Sequence, residues 1–304
     1  AARKWEQIAR FANVADSALA SAAPAGLAGL VDWCAGKGHL GALLARATGL
    51  PVVCLERDAD LCDRGHALAA ARGLPLRFLR TDVLADPVDE HLGPDRGAVA
   101  LHACGRLNLR LIDRAVARGV AFAALAPCCY QDIDGPRYRP LSRAGACSDP
   151  GLDRGQLRLI SFGEEVAPPR SRDLRRREQA RRLGLDLLLR EVTGVDRYRP
   201  LGRAPRALLD GPFEAYARAL AERGGVALGG DVDFARFEAA GREKSAVARA
   251  LGVARGVFRR PLEVWQLGDR ALYFAERGYR VRLGEICPPR ITPRNLLLTA
   301  VRRR

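Results

Sequence analysis

The sequence predicts an α/β protein built on an open, doubly wound sheet of seven strands, with a helical insertion after the fifth strand. Residues 27–130 repeat a unit of buried strand, helix and glycine stop, which is typical of a parallel sheet with helices on both faces. Near residue 262 the same rhythm returns after a long stretch of helical period. We therefore expect one domain over residues 1–304, with a helical segment over 1–26 and a helical and loop insertion over 131–260.

The first five strands are short apolar runs bounded by glycine, proline or charged residues. Glycine stops the helices between them at Gly49, Gly73 and Gly119. The predicted strands are residues 27–34, 51–56, 76–83, 97–105 and 120–130, and the predicted helices are residues 40–49, 59–73 and 110–119.

The last forty or so residues predict the end of the sheet. Residues 262–278 have helical spacing and a glycine stop, 279–287 alternate like a strand, and 295–302 form a second apolar run after the turn "PPRITP". A tight connection joins neighbouring strands only when they run antiparallel. We therefore expect the sheet to end in an antiparallel hairpin.

Charge and cysteine usage indicate the class of partner and compartment. The net charge of +15 favours a polyanionic partner such as RNA, although lysine occurs only at Lys4, Lys37 and Lys244 among 50 basic residues, which looks like GC-rich codon usage. The eight cysteines lack the spacing of a small secreted scaffold, so we expect reduced thiols. Since no apolar run is long enough to span a membrane, we expect a soluble cytoplasmic protein.

The turn after the first strand carries a glycine signature. Gly36, Gly38 and Gly41 have the spacing G-x-G-x-x-G, directly after a strand and opening a helix. This pattern is compatible with a dinucleotide, whose pyrophosphate needs the helix N-terminus, or with S-adenosylmethionine (SAM), which needs only close backbone approach and acidic partners.

Three acidic residues favour SAM over a dinucleotide. Asp32 precedes the glycine turn, where its charge would repel a pyrophosphate but could hold the ammonium of a methionine group. Glu56 ends the second strand, where a carboxylate can accept both ribose hydroxyls, and Asp82 ends the third, where it can accept the adenine amino group. Each acid alone could be a helix cap or a solvated turn; together with the glycines they predict a SAM pocket.

The residues expected to face the methyl acceptor follow the fourth and fifth strands. His102 and Cys104 end the fourth, and Cys128, Cys129 and Tyr130 end the fifth. The cysteines could hold zinc, although adjacent cysteines seldom close on one ion and no C-x-x-C is present, so we expect no metal. They could instead act as nucleophiles, as in RNA 5-methylcytosine methyltransferases, or simply shape the floor of the pocket, which we favour.

The roles of His102 and Tyr130 stay open between chemistry and shape. The imidazole could be a general base or a wall of the adenosine pocket, and we favour the wall. Tyr130 could orient the acceptor. Methyl transfer from a sulfonium depends mainly on alignment, since the leaving group departs neutral.

The segments "VDWCAGKGHLG", "ALHACG" and "APCCY", with the final "PRN", resemble class I SAM-dependent methyltransferases, which have a Rossmann-like seven-stranded sheet. The resemblance is to the subgroup with "HACG" and "PCCY", which includes the methyltransferase domain of glutathione S-transferase C-terminal domain-containing proteins and related methyltransferase-like proteins. More distantly, the chain is similar to eukaryotic tRNA 2′-O-methyltransferases with "HLCG" and "CCH" at the same two places.

The resemblance implies a role for each matching residue. The cofactor contacts would be Asp32, Gly36, Gly38, Glu56 and Asp82, and the acceptor side would be His102, Cys104, Cys128 and Cys129. Two positions depart from the pattern: Tyr130 replaces a histidine of the tRNA enzymes, and Cys34 replaces the first glycine of many methyltransferases. The segment "RKWEQI" also resembles these relatives, which places Lys4 and Glu6 near the site.

RNA is the acceptor that we expect. Residues 170–192 carry eight arginines, which could track phosphates or could form the solvated face of an amphipathic helix with Leu183 and Leu187 inward. A protein or small-molecule methyltransferase is the enzymatic alternative, and a SAM-binding regulatory protein without turnover is the alternative from another class. An NAD oxidoreductase rests on the glycine turn alone. The oligomeric state is not predicted.

Overall fold

The computed structural model describes residues 2–22, 26–161 and 169–303. The strands are β1 (Gly29–Trp33), β2 (Val52–Glu56), β3 (Leu76–Arg80), β4 (Arg96–Leu101), β5 (Phe122–Ala126), β6 (Tyr279–Glu285) and β7 (Leu296–Arg302). The helices are α1 (Ala2–Ala22), α2 (His39–Thr48), α3 (Ala59–Ala70), α4 (Arg106–Ala117), α5 (Arg143–Cys147), α6 (Arg154–Ser161), α7 (Pro169–Thr193), α8 (Arg206–Asp210), α9 (Phe213–Arg223), α10 (Phe234–Gly256) and α11 (Arg259–Ala275), with a 3-10 turn at Asp89–His91.

The seven strands form one sheet in the order β3-β2-β1-β4-β5-β7-β6. Strands β1 to β5 pair in parallel, and β7 pairs antiparallel with both β5 and β6. This arrangement confirms the predicted α/β fold class and the antiparallel hairpin at the end of the sheet. The strand order reverses between β1 and β4, the place where open α/β sheets bind ligands.

Each central strand sends alternate side chains to opposite faces of the sheet. On β5, Ala123 and Leu125 join one apolar core and Phe122 and Ala124 join the other. The first core contains residues of α4, α6 and α11, and the second contains residues of α1, α2 and α3. Because both faces are covered, the central parallel strands β1, β4 and β5 are apolar along most of their length, which explains why apolar runs predicted them.

The fifth strand is shorter than the sequence predicts. It ends at Ala126, so that Cys128, Cys129 and Tyr130 lie in the connection after β5 rather than in the strand. The proline at position 127 explains this, since it has no N–H to donate to a neighbouring strand. The side chains after it are therefore free of the strict alternation that a strand imposes.

The chain divides into two compact units, Ala1–Val166 with Phe258–Arg304, and Ala167–Val257. The sequence places its insertion at residues 131–260. In the structure the beginning of that range belongs to the sheet unit, because Tyr138, Leu152, Leu157 and Ile160 are buried in its core. Residues 162–168, within the predicted insertion, and residues 1 and 23–25, within the predicted N-terminal segment, lie outside the described residues.

The second unit has its own apolar core, formed by α7, α8, α9 and α10. Helices α7 and α10 approach closely at two glycines: a Cβ at Gly241 would lie 2.6 Å from the backbone nitrogen of Gly184. The inward residues of α7 include Leu185, Leu188 and Leu189, and Leu183 is only half-buried. The prediction of an inward Leu183 is therefore wrong, because Gly184 rather than its neighbour faces α10. Among the described residues, no helix has the length and apolarity to cross a membrane.

Candidate active site

A cavity of 780 Å³ opens at the carboxyl ends of β1 and β4, where the sheet order reverses. Its volume lies within the roughly 300–1,000 Å³ of small-molecule pockets. The end of β1 and the turn after it supply Asp32, Cys34 and Gly36; the end of β4 supplies Leu101 and His102; α1 and α2 supply Lys4, Trp5, Ile8, His39 and Leu40. The structure thus brings three of the predicted residues, Asp32, Gly36 and His102, to one cavity.

Two residues of this cavity have a strained backbone. Cys34 follows β1 with φ of 60°, and His102 follows β4 with φ of 68°. They are the only non-glycine residues with positive φ in the described part of the chain. Such conformations cost of order 1–3 kcal/mol each and cluster at functional sites. Backbone strain and sheet topology therefore mark the same place.

The three glycines of the turn serve different purposes. Gly36 (φ 59°) lines the cavity, and a Cβ there would meet no atom within 4 Å, so its positive φ is what requires glycine. A Cβ at Gly38 would lie 2.5 Å from Cζ of Phe78, and one at Gly41 would lie 3.2 Å from Oδ2 of Asp32. Gly38 and Gly41 thus allow close packing, while Gly36 allows a ligand to approach.

Asp32 is a buried carboxylate at the wall of the cavity. Its Oδ2 accepts a hydrogen bond from the Gly41 N–H at 2.9 Å, which ties β1 to the beginning of α2. Burial raises the pKa of Asp32 to about 7; the Gly41 bond opposes this rise and the nearby charge of Glu56 adds to it. A cationic ligand group beside Asp32 would offset that desolvation.

Glu56 holds the glycine turn from the neighbouring strand. Its Oε2 accepts from the Gly36 N–H at 2.8 Å and its Oε1 accepts from the Asp58 N–H at 3.0 Å. It is half-buried and lies outside the residues that line the cavity. An ionised carboxylate has about four acceptor positions, so Glu56 keeps capacity for ribose hydroxyls beyond these two bonds.

Asp82 also caps its own turn, but it is more exposed. Its Oδ1 accepts from the Leu84 N–H at 3.0 Å, and its Oδ2 lies 3.9 Å from Nη1 of Arg57. Its side chain is 36% exposed and does not line the cavity. The predicted contact of Asp82 with adenine therefore stays a prediction.

His102 is held from the other side of the cavity by α1. Its Nε2 lies 2.9 Å from Oε1 of Gln7, whose side chain is buried. With this carbonyl as acceptor, Nε2 donates and Nδ1 is left free to accept. Burial, with the positive charges of Lys4 and Arg294, lowers the pKa of His102 to about 4, so the imidazole is neutral at pH 7.

Helix α1 supplies Lys4, which the sequence analysis placed near the site, and also Trp5, Gln7 and Ile8, which it missed. Lys4, Trp5 and Ile8 line the cavity, and Gln7 contacts His102. The resemblance placed Lys4 and Glu6 near the site; Lys4 lines the cavity, whereas Glu6 pairs with an arginine on its own helix. The only signal for Gln7 in the sequence is a polar residue beside the apolar face of an amphipathic helix.

The cysteines predicted at the acceptor side form a cluster of their own. Sγ of Cys128 lies 2.7 Å from Sγ of Cys104 and 3.6 Å from Sγ of Cys129. None of the three belongs to the residues that line the cavity. The backbone oxygen of His102 accepts from the Cys104 thiol at 3.2 Å. The structure therefore brings these thiols together beside the cavity rather than in its wall.

Cys104 and Cys128 compete for a proton. Either sulfur could donate in the hydrogen bond between them, and this bond lowers the pKa of Cys104 to about 6 against the effect of burial. The same interaction, with burial, raises the pKa of Cys128, and burial raises that of Cys129. Such a pair titrates as a unit, with Cys104 the first to ionise.

Tyr130 is packed away from the cavity. Its side chain is 1% exposed, its hydroxyl donates to Oε1 of Glu263 at 3.4 Å, and the guanidinium of Arg270 lies 5.2 Å from its ring centre. Arg270 itself is buried and donates to Oδ1 of Asn108 at 2.8 Å. Tyr130 thus connects α11 to the segment after β5, and the acceptor contact stays a prediction.

The side chains around the cavity fit SAM. Asp32 suits the ammonium and Lys4 and Lys37 suit the carboxylate of the methionine group, while Ile8 and Leu101 provide apolar wall. The buried Nε2 of Gln7 has no hydrogen-bond partner among the described residues, so a donor beside the cavity stands unused. An unpaired buried donor costs about 1–3 kcal/mol, which a bound acceptor group would offset.

The fold and this cavity are those that the sequence analysis predicts for a SAM-dependent methyltransferase, and part of the chain is similar to known methyltransferases. Residues 3–136 match the model of a family described as a methyltransferase domain. This stretch covers β1 to β5 and every predicted site residue, and the description of the family agrees with the predicted methyltransferase class.

Two curated relatives are similar to part of the chain. The glutathione S-transferase C-terminal domain-containing protein of Xenopus laevis is 30% identical over 140 residues, which are 45% of this chain and 22% of that protein. Its homolog in Drosophila pseudoobscura pseudoobscura is 30% identical over 131 residues, 43% of this chain and 21% of that protein. The chain thus matches about a fifth of the length of these relatives, and the predicted resemblance to them is confirmed.

Solved structures with a similar backbone include methyltransferases. An rRNA methylase from Streptococcus thermophilus is 18% identical, with a TM-score of 0.32 over 38% of this chain and 69% of that chain. The 23S rRNA methyltransferase ErmE is 15% identical, with a TM-score of 0.32 over 71% of this chain and 96% of that chain. Scores this low carry no argument about substrate.

Proposed function

We propose that this protein transfers a methyl group from SAM to RNA. The observation that carries the methyl transfer is the cavity at the switch point of a methyltransferase sheet, where Asp32, Gly36 and His102 meet. Bound SAM supplies an activated methyl group on a positively charged sulfur. The protein's task is then to hold that group in line with an acceptor atom and to exclude water.

Acidic and basic side chains of the cavity hold groups of opposite charge on the cofactor. Asp32 holds the ammonium and Lys4 the carboxylate of the methionine group, which fixes one end of the cofactor. Glu56 accepts ribose hydroxyls while it keeps Gly36 in place. His102, held by Gln7, forms the wall towards the acceptor. Because its pKa is about 4, His102 is a weak base at pH 7, which supports positioning over proton transfer.

Positive charge near the cavity supports RNA as acceptor. Lys4 and Arg294 both act on His102, and Lys37 and Arg72 act on His39 at the beginning of α2. With the net charge of +15, these cations favour a polyanion over a neutral small molecule.

Helix α7 offers a second source of positive charge, but only part of it is available. Arg181 donates to backbone oxygens of Leu208 and Gly211, and Arg182 and Arg190 pair with carboxylates of their own helix. Those arginines hold the second unit together. Arg170, Arg172 and Arg175, at the beginning of α7, are the arginines that we assign to phosphates.

The proposal is tested by methyl transfer from tritiated SAM to extracts of cells that lack the protein, followed by digestion to nucleosides and amino acids. Label in a modified nucleoside is the expected result. Label in an amino acid would identify a protein methyltransferase instead. Absence of transfer together with measurable SAM binding would overturn catalysis and favour a regulatory protein.

The role of α7 is tested separately by the salt dependence of RNA binding. Replacing Arg170, Arg172 and Arg175 by glutamine should lower the slope of log K against log salt by roughly 0.7 for each lost phosphate contact. Arg223→Gln, on α9 and bonded to the backbone oxygen of Arg203, removes one positive charge elsewhere in the same unit and is the control for each single replacement in α7. An unchanged slope in the triple variant would remove α7 from the RNA-binding surface.

A further inference from the structure

Three sulfur atoms converge after β4 and β5, where the sequence predicts no metal. The Sγ atoms of Cys104, Cys128 and Cys129 all lie within 4.8 Å of one another. Within residues 2–22, 26–161 and 169–303, they are the only group of three or more histidines, cysteines or carboxylates gathered so closely. We propose that these three cysteines bind a thiophilic metal ion, for which Zn²⁺ is the probe.

The sulfur spacing is close to what one ion requires. Two thiolates bound to Zn²⁺ at about 2.3 Å in a tetrahedron lie about 3.8 Å apart. The separation of 3.6 Å between Cys128 and Cys129 already matches this value. The 2.7 Å between Cys104 and Cys128 must open by about 1 Å when the ion binds.

The early end of β5 allows two adjacent cysteines to bind the same ion. Adjacent residues in a strand point to opposite faces and could not share one ion. Because β5 ends at Ala126, Cys128 and Cys129 lie in a non-strand segment, and their sulfur atoms point to the same side. The third ligand, Cys104, comes from the connection between β4 and α4, so one ion would tie two neighbouring strand ends together.

Burial and charge also suit a bound ion. Cys128 is buried, whereas Cys104 and Cys129 are half-buried, which leaves a path for the ion to enter. Three thiolates around Zn²⁺ leave a net charge of −1, and the positive charge of Arg294 acts on Cys129 from nearby. A site with three protein ligands keeps a fourth position for water or a substrate atom. This site would lie beside the cofactor cavity, and it does not depend on the proposed RNA substrate.

A disulfide between Cys104 and Cys128 is the rival explanation for their short separation. It would use two sulfur atoms at about 2.05 Å and leave Cys129 without a role. The convergence of all three sulfur atoms favours the ion. The two explanations predict different chemistry, so one experiment separates them.

The test is metal binding by the full chain, purified under reducing conditions and freed of metal. We expect one equivalent of Zn²⁺ by elemental analysis, and a thiolate-to-cobalt charge-transfer band on addition of Co²⁺. Each of Cys104→Ser, Cys128→Ser and Cys129→Ser should weaken Zn²⁺ binding by more than the roughly 10–100-fold that loss of an outer partner costs. Cys147→Ser removes an exposed cysteine outside the cluster and should bind the full equivalent.

Circular dichroism and SAM binding of each variant show whether it is folded, and variants that fail these checks are replaced by the corresponding alanine. Zn²⁺ binding that survives when Cys104, Cys128 and Cys129 are all replaced by serine in one chain would overturn the proposal, since the ion would then bind elsewhere. Failure of the wild-type chain to bind Zn²⁺ would overturn it too, as would a Cys104–Cys128 disulfide found by peptide mapping in protein that holds no metal.

Discussion

The ends of the inner strands β1 and β4 differ from the ends of the outer strands β2 and β3. At the ends of the inner strands, Asp32 is buried, Cys34 and His102 have positive φ, and all three line the cavity. After the outer strands, Glu56 and Asp82 accept N–H groups of local turns and do not line it. A carboxylate at a strand end therefore becomes a wall of the site only where the sheet order reverses.

Among the site variants, loss of the Glu56 carboxylate should weaken SAM binding most. Glu56 belongs to an outer strand, but its carboxylate accepts the N–H of Gly36 in the inner turn. Glu56→Ala leaves two backbone donors unpaired and removes the acceptor for ribose, so we expect no detectable SAM binding by calorimetry. Glu56→Gln keeps one acceptor oxygen and should bind weakly. Unchanged affinity in the alanine variant would contradict the cofactor assignment.

Asp32→Asn should cause the second largest loss of SAM affinity. It keeps an acceptor for the Gly41 N–H but loses the charge that holds the ammonium, which is worth about 1.5–3 kcal/mol, or roughly 10- to 150-fold in SAM affinity. Calorimetry at pH 8 measures this loss. A loss below threefold would show that the ammonium binds elsewhere.

Asp32 also predicts how stability depends on pH. Its pKa is about 7 in the folded protein and near 3.8 when unfolded, so the folded state binds the additional proton between these values. Its stabilising contribution is complete below about pH 4 and is lost as the pH rises through 7, by up to about 1.4 kcal/mol per pH unit. Denaturant unfolding of the SAM-free protein should show that the free energy of unfolding falls as the pH rises. In Asp32→Asn this pH dependence should be weaker. An equal slope in both proteins would assign the dependence to other groups.

Cys34→Gly probes the strain of the inner turn. Glycine adopts a φ of 60° freely, so removing the side chain should stabilise the folded protein by about 1 kcal/mol, after allowing for the greater entropy of glycine in the unfolded chain. Thermal unfolding measures this change in stability. Ala35, the next residue, does not have a positive φ. The control Ala35→Gly should therefore destabilise the folded protein. Destabilisation by both would show that the Cys34 side chain packs usefully.

Asp82→Asn should change SAM affinity least among these variants. Asp82 is partly exposed and its ion pair with Arg57 is long, at 3.9 Å, so we expect a change in SAM affinity of less than about threefold. Competition binding against labelled SAM resolves changes of that size. A loss comparable to that of Asp32→Asn would restore Asp82 as an adenine contact and erase the difference between inner and outer strands.

The sheet and half of the site follow from local pattern. Apolar strands, glycine stops and the G-x-G turn are each visible within about ten residues, which is why the strands and the positions of Asp32 and Gly36 could be predicted. The contact of Gln7 with His102 joins residues 95 positions apart, and no local pattern encodes it.

Tyr130 illustrates why the rest could not be predicted. Its place at the end of an apolar run suggested an acceptor contact, but a buried arginine on α11 holds its ring. Fully buried arginines are rare, so sequence reasoning assigns such residues to the surface. The converging cysteines were visible as a pattern, yet only the early end of β5 determines which way they point.

The position of β7 between β5 and β6 has a consequence for biosynthesis. During translation, β5 emerges about 170 residues before the strand that covers its edge, while the helices of the second unit can already pack around their own apolar core. Until β7 arrives, an apolar strand with unpaired backbone groups is exposed to other chains. A chain that ends within residues 258–295 would thus expose an aggregation-prone edge of the sheet, although its helical unit can already fold.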